Sequence, residues 1–181
     1  MPPPLLVTFA AGATGHWQID SITAVAGESL PPAERLAVHE GRPPPSDSRW
    51  SLRGSTGNAR YTKRSELTTL GERQAGLNRP LATCGALIPI RKTETWWTLA
   101  QDERRAIMEE RSRHIGIGLD YLPAVARRLH HSRELGEPFD FLTWFEFAPD
   151  HTAAFDEMLA RLRATEEWRY VEREVDIRLT R

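Results

Sequence analysis

Cysteine is almost missing. Cys84 stands alone, which leaves no disulfide partner within the sequence and excludes a cysteine-rich zinc site. Lysine is nearly as scarce. Of 24 basic residues only Lys63 and Lys92 are lysines, and the rest are arginine. No apolar run approaches the roughly 18 residues that a membrane-spanning helix needs. The net charge is −1 and no basic stripe stands out, so nucleic acid is not an expected partner. The opening "MPPPLLVTFAAGATG" lacks a basic leader and a long apolar core, so it does not read as a secretory signal. These absences together predict a soluble, cytoplasmic protein. Also missing are a phosphate-cradling glycine loop, a Ser-His-Asp elbow, a carboxylate metal cage and a "CxxCH" haem-attachment motif.

What remains is a chain of 181 residues, 40% hydrophobic and 27% charged. That suits one globular domain, or two small halves around a shared core. "LLVTFAA" and "HWQIDSITAV" read as strands parted by a glycine turn. Residues 27 to 48 are rich in proline, glycine and serine and predict a long loop with one short helical turn at most. "RWSLRG" and "ARYTKR" flank turn residues 55 to 58 and predict a hairpin. A short helix follows around 67 to 77.

The second half is more regular. "ALIPIRKT" reads as a buried strand leading into "WW". Asp102 predicts an N-cap for a helix through "ERRAIMEERSRHI", with Glu103 near the positive end of its dipole. On that helix Ile107 and His114, two turns apart, share a face, and Gly116 and Gly118 end it. From 125 to 133 a strand places Val125, Arg127, Leu129 and His131 on one side. In the returning strand Phe139, Phe141, Thr143, Phe145 and Phe147 alternate with Asp140, Leu142, Trp144 and Glu146. Asp150 can cap a helix whose apolar stripe is Phe155, Met158, Leu159 and Leu162. Val171, Val175, Ile177 and Leu179 then alternate with charge in a last strand. The order β-α-β-β-α-β predicts an α+β, ferredoxin-like half over residues 81–181. A shortened, strand-rich ferredoxin-like half is expected over residues 1–80. The sheet face without helices needs cover from that half, a partner subunit or a large apolar ligand.

Several residues could carry chemistry. His114 has a plain reading as a helix-end histidine favoured by the C-terminal dipole. Its sharper reading is an axial ligand to haem iron, which requires an apolar cavity and a carboxylate or carbonyl to orient the ring. Arg127 is either a solvated arginine or a permanent cation aimed into an apolar pocket, where its five donors suit an oxyanion. Trp96 and Trp97 are either core or a wall for a flat macrocycle, with Lys92 reaching a propionate. Glu166 and Glu167 sit unfavourably at a helix C-terminus, so one of them should have a cationic or ring-nitrogen partner. His130, His131 and His151 show no metal spacing.

"IPIRKTETWW", "RHIGIG", "YLPAVARRLHHSRELGEPFDFLTWFEFAP" and "LRATEEWRYVEREVDIRL" resemble the chlorite dismutase family, in its short-chain, dimeric branch. The likeness is specific over residues 86 to 181 and weak in the 27 to 48 loop. It implies a homodimeric haem b oxidoreductase that converts chlorite to chloride and dioxygen. By that resemblance His114 is the axial iron ligand, Glu167 holds its imidazole, and Arg127 retains the chlorine oxide fragment. Gln74 in "ERQAGL" matches a glutamine that hydrogen-bonds the distal arginine. Thr143 and Phe145 match the distal wall, and Tyr61, Lys92 and Trp97 match residues near the propionates. Arg127 argues against the coprohaem decarboxylase branch, where that arginine is expected to be absent. A haem-binding or haem-sensing protein without chlorite turnover is the alternative, because kinship of fold does not guarantee a reaction.

Overall fold

The computed structural model describes residues 3–43 and 46–181; Met1 and Pro2 of the opening stretch, and Pro44 and Pro45 of the proline-rich loop, lie outside them. Alternating apolar residues form the strands β1 (Leu6–Gly12), β2 (Trp17–Ala26), β3 (Arg35–Glu40) and β4 (Trp50–Ser55), and the helix α1 (Arg64–Arg73) follows. The second half runs β5 (Cys84–Lys92), α2 (Glu94–Thr98), α3 (Gln101–Arg105), α4 (His114–Asp120), β6 (Ala126–His131), β7 (Phe141–Phe147), α5 (Thr152–Arg163) and β8 (Val171–Thr180). Its strands lie in the order β8-β5-β7-β6, all antiparallel. This is the ferredoxin-like arrangement that the alternation predicted.

The N-terminal strands cover the sheet face that the helices leave bare. β2 pairs with β8, and β4 meets β6 at the single pair Ser55↔His131 among the described residues, so the eight strands close into a barrel. Its interior holds Phe9, Trp17, Leu36, Leu52, Leu142, Trp144, Val175, Ile177 and Leu179. On the outer face of the same sheet, α4 and α5 pack Ile117, Phe155, Met158, Leu159 and Leu162 against Ala86, Ile88, Ile90 and Phe145. Phe139 departs from the predicted face. It lies before β7 begins and its ring is buried in the barrel interior. Val171 packs on the helix side, because a bulge at Arg91/Lys92 shifts the β5–β8 register before the inward-facing Val175 is reached.

Several local expectations are corrected. β3 forms in the middle of the 27 to 48 stretch, where Leu36 is buried and the strand gains a full ladder with β1. No hairpin forms between "RWSLRG" and "ARYTKR". β4 pairs with β1, and residues 59 to 64 turn through Arg60, whose φ is 35°. The helix expected from Asp102 starts two residues earlier at its Ala100 cap, whose N–H is taken by Glu103 Oε2 at 2.8 Å. It then widens into a π-turn over Ala106–Arg111 and stops at Arg113, which is left-handed (φ 54°). His114 therefore opens a new helix instead of ending an old one, and the shared face with Ile107 is lost. Gly116 and Gly118 lie inside α4. His151, not Asp150, stands at the cap position of α5. Glu166 and Glu167 fall in the first turn of a 3-10 segment, Glu166–Tyr170, where their charge suits the helix end.

Candidate active site

Strand alternation creates one wall of a cavity. Ile88, Ile90 and Lys92 of β5, Arg127, Leu129 and His131 of β6, and Phe141, Thr143 and Phe145 of β7 all face it. Register brings Arg127 opposite Phe145, Leu129 opposite Thr143 and His131 opposite Phe141. The helix layer supplies the facing wall, with Met108, His114, Gly118, Met158, Leu159 and Leu162. Residues 58 to 62 and Trp96, Glu167 and Trp168 complete the lining. The space between the two walls opens at a mouth and is lined mainly by apolar side chains, which suits an apolar ligand inserted between them.

His114 is fixed from both ends. Glu109 accepts the N–H groups of Ile115 (2.6 Å) and Gly116 (3.2 Å), which secures the first turn of α4. The ring Nδ1 lies 2.6 Å from Glu167 Oε2. A carboxylate partner assigns the proton to Nδ1, leaving Nε2 without a partner among the described residues and able to bind a metal. Glu167 in turn meets Lys92 Nζ at 2.7 Å through its other oxygen, and its own N–H is donated to Ser112 Oγ at 3.0 Å. Burial alone would raise the Glu167 carboxyl, but its interactions with His114 and with the Lys92 ammonium outweigh it and hold the group at about 2. The alternation that turns Ile88 and Ile90 inward also turns Lys92 inward, so its ammonium is 4% exposed. It sits over the Trp96 ring at 4.3 Å. The lysine that resemblance associates with a propionate is thus engaged beneath His114.

Arg127 presents its guanidinium to the cavity from the sheet, and among the described residues that group has no carboxylate or carbonyl partner. Loss of hydration draws its pKa down from the ordinary value, yet an arginine begins so high that it stays charged. Gln74 Nε2 donates to the main-chain oxygen of Arg127 at 2.7 Å, not to its side chain.

The structure thus gathers His114, Glu167, Lys92, Tyr61, Arg127, Thr143 and Phe145 around one cavity and leaves Gln74 and Trp97 outside its lining. Trp97 stacks on the outside of Phe141 and donates Nε1–H to Asp140 at 3.2 Å. Glu166 pairs with Arg111 at 3.2 Å. His130 accepts from Arg128 and is held by the Leu142 carbonyl, and His131 contacts the Asn58 carbonyl. No metal-binding group of three side chains exists among the described residues. Sequence reasoning missed Glu109 and Ser112. Neither had a signal of its own, because each acts through a main-chain group whose position follows from the break at Arg113.

Comparison with known proteins gives the chain a family. The sequence profile described as chlorite dismutase matches residues 45–181, more than half of the sequence. This chain belongs to the chlorite dismutase family. A dimeric chlorite dismutase from Nitrobacter winogradskyi is 55% identical in sequence, with a TM-score of 0.90 over 97% of this chain and 99% of that one. A chlorite dismutase from Candidatus Nitrospira defluvii shares the fold at 20% identity, with a TM-score of 0.68 over 98% and 91%. The chlorite dismutase of Ideonella dechloratans is 32% identical over 84 residues, which make up 46% of this chain and only 27% of that protein. No helix among the described residues of this family member is long and apolar enough to cross a membrane.

Proposed function

We propose that this chain binds haem b and decomposes chlorite to chloride and dioxygen, as a homodimer like its relative from Nitrobacter winogradskyi. One observation carries the reading. An imidazole anchored by a buried carboxylate enters an apolar cavity from the helix layer, and an unpaired guanidinium enters it from the sheet. The residues fit a porphyrin on three counts. His114 Nε2 is unclaimed, the facing walls are mainly apolar, and Trp96 Nε1 is buried there without a partner among the described residues.

The haem, when bound, supplies the redox-active iron at which a chlorine–oxygen bond of chlorite is cleaved. His114 would hold the iron through Nε2, and Glu167, keeping the ring proton at Nδ1, would give the imidazole the anionic character that favours an oxidised metal. Lys92 holds Glu167 ionised, so the imidazole cannot lose its orienting partner near neutral pH. Arg127 offers a fixed positive charge and a planar fork of donors within a mainly apolar wall. It would retain the chlorine oxide fragment so that both oxygens of one chlorite leave together as dioxygen and its chlorine leaves as chloride. Phe145, opposite Arg127, and Thr143 shape the wall around it. Release of a chlorine oxide would instead damage the protein.

The test is an optical spectrum followed by an oxygen electrode trace on addition of chlorite. A haem band with rapid oxygen release supports the proposal. A haem band without oxygen marks a haem-binding protein lacking this activity. A colourless protein that takes up no added haem overturns both.

A further inference from the structure

Outside the cavity wall, three guanidinium groups converge on one indole. Arg60, Arg104 and Arg133 lie 5.4, 5.3 and 4.2 Å from the Trp97 ring, which stacks on the cavity residue Phe141. They come from separate parts of the chain: the turn after β4, the helix α3 and the turn between β6 and β7. Arg60 and Tyr61 line the cavity, and Arg104 Nη1 donates to the Tyr61 hydroxyl at 2.9 Å. The cluster therefore borders the mouth.

Its positive charge is incompletely matched. Arg60 pairs with Glu134 at 2.6 Å. Arg133 has only Asp140, at 3.5 Å, and that carboxylate already accepts the Lys92 N–H and the Trp97 Nε1–H. Arg104 has no carboxylate partner among the described residues, and its Nε is buried without any acceptor. The neighbouring His131 gives no compensation, since it faces Arg60 through a ring nitrogen at 3.4 Å. Three permanent cations thus share two carboxylates, and a donor of Arg104 is buried unused, which is costly unless an acceptor arrives. Lys92 cannot serve as that rim cation, because it is bound beneath His114.

We propose that Arg60, Arg104 and Arg133, gathered on Trp97, form a seat for an oxyanion at the cavity mouth. Its occupant is either a carboxylate of the bound porphyrin, whose apolar body fills the cavity, or a small oxyanion passing through. The assignment of the occupant rests on the haem reading above. Guanidinium suits both, because its fork matches a carboxylate or an oxyanion and an aromatic face holds it in place.

The experiment compares wild type with Arg104→Gln, Arg104→Lys, Arg60→Gln and, as a remote control, Arg35→Gln. Haem loss to an excess of a haem scavenger is timed for haem and for its dimethyl ester, which lacks the charges. A seat for porphyrin carboxylates makes Arg104→Gln lose haem about tenfold faster or more, the ratio expected for one charge-assisted hydrogen bond. Arg104→Lys then recovers part of the difference, and the ester leaves wild type and variant at equal rates. A seat for a passing anion leaves haem loss unchanged. It slows azide association with the haem protein and flattens the dependence of that rate on ionic strength, while neutral imidazole associates as before. Equal haem loss, ester loss and azide association in Arg104→Gln, Arg60→Gln and wild type overturn the seat and leave the haem reading standing. Wild type that takes up neither porphyrin overturns the haem reading, and the seat with it.

Discussion

Replacing Glu167 with glutamine keeps its shape and removes one charge from a place where both partners depend on it. Lys92 Nζ and Glu167 are 4% and 5% exposed, so neither group is hydrated. Without the carboxylate the ammonium has no anion to face, since Asp140 meets only the main chain of Lys92. Removing one partner of a buried pair costs about 3–5 kcal/mol. In a chain of this size each kcal/mol lowers Tm by about 2–4 °C, so the melting point should fall by about 6–20 °C. A second substitution, Lys92→Met, removes the stranded charge and should restore more than half of the loss, because the buried cation carries most of the penalty. Circular dichroism melts at pH 7 of wild type, both single variants and the double variant measure this. A Glu167→Gln protein melting within about 2 °C of wild type would show that the carboxylate does not compensate these cations, and the account of the His114 support would fail.

Arg127→Ala should keep its haem but lose oxygen release and bleach sooner as the fragment escapes; an unchanged oxygen yield and working life would remove Arg127 from the reaction. His114→Ala should shed haem, and an unaltered haem spectrum in that variant would refute the ligand assignment. Acid should act in two stages. Burial holds His130 down at about 4 against an ordinary 6.5, so the unfolded chain takes up a proton that the fold refuses, and stability falls as pH drops from about 6.5 to about 4. Glu167, held at about 2 against an ordinary 4.5, loses its contribution below that, between about 4.5 and 2, worth about 3 kcal/mol in all. Urea midpoints at pH 7.5, 5 and 3 test this, and a flat profile from 7.5 to 4 would contradict the His130 half. Glu109→Ala should free two N–H groups at the start of α4 and broaden the haem band through a less fixed imidazole; a sharp, unshifted band would show that the turn holds itself.

Much of the C-terminal half was readable because burial on one sheet face imposes a period of two. Arg127, Thr143 and Phe145 could be placed on the cavity side from alternation alone, and the α5 stripe from its period of 3.6. The helix bearing His114 could not. A π-turn and a left-handed arginine carry no glycine or proline to announce them, and they reset the helical phase that linked His114 to Ile107. β3 was hidden for a different reason. "RLAVHE" is short and flanked by prolines, and it becomes a strand only because β1 offers it a ladder. Barrel closure depends on contacts between residues distant in sequence, as in Ser55 with His131, which local patterns do not record. Lys92 was singled out by rarity, and alternation with Ile88 and Ile90 turns it inward, but its partner Glu167 comes from a distant 3-10 turn that local patterns do not bring to it.

Among the described residues the ring of eight strands is joined most thinly where β4 touches β6 at Ser55 and His131. His131 of that joint lines the cavity whose wall carries Arg127. Transient parting there would widen the chamber without disturbing the helices that hold His114. Amide exchange should therefore be quickest along that flank of β6, and the guanidinium side of the chamber should breathe while the imidazole side stays still.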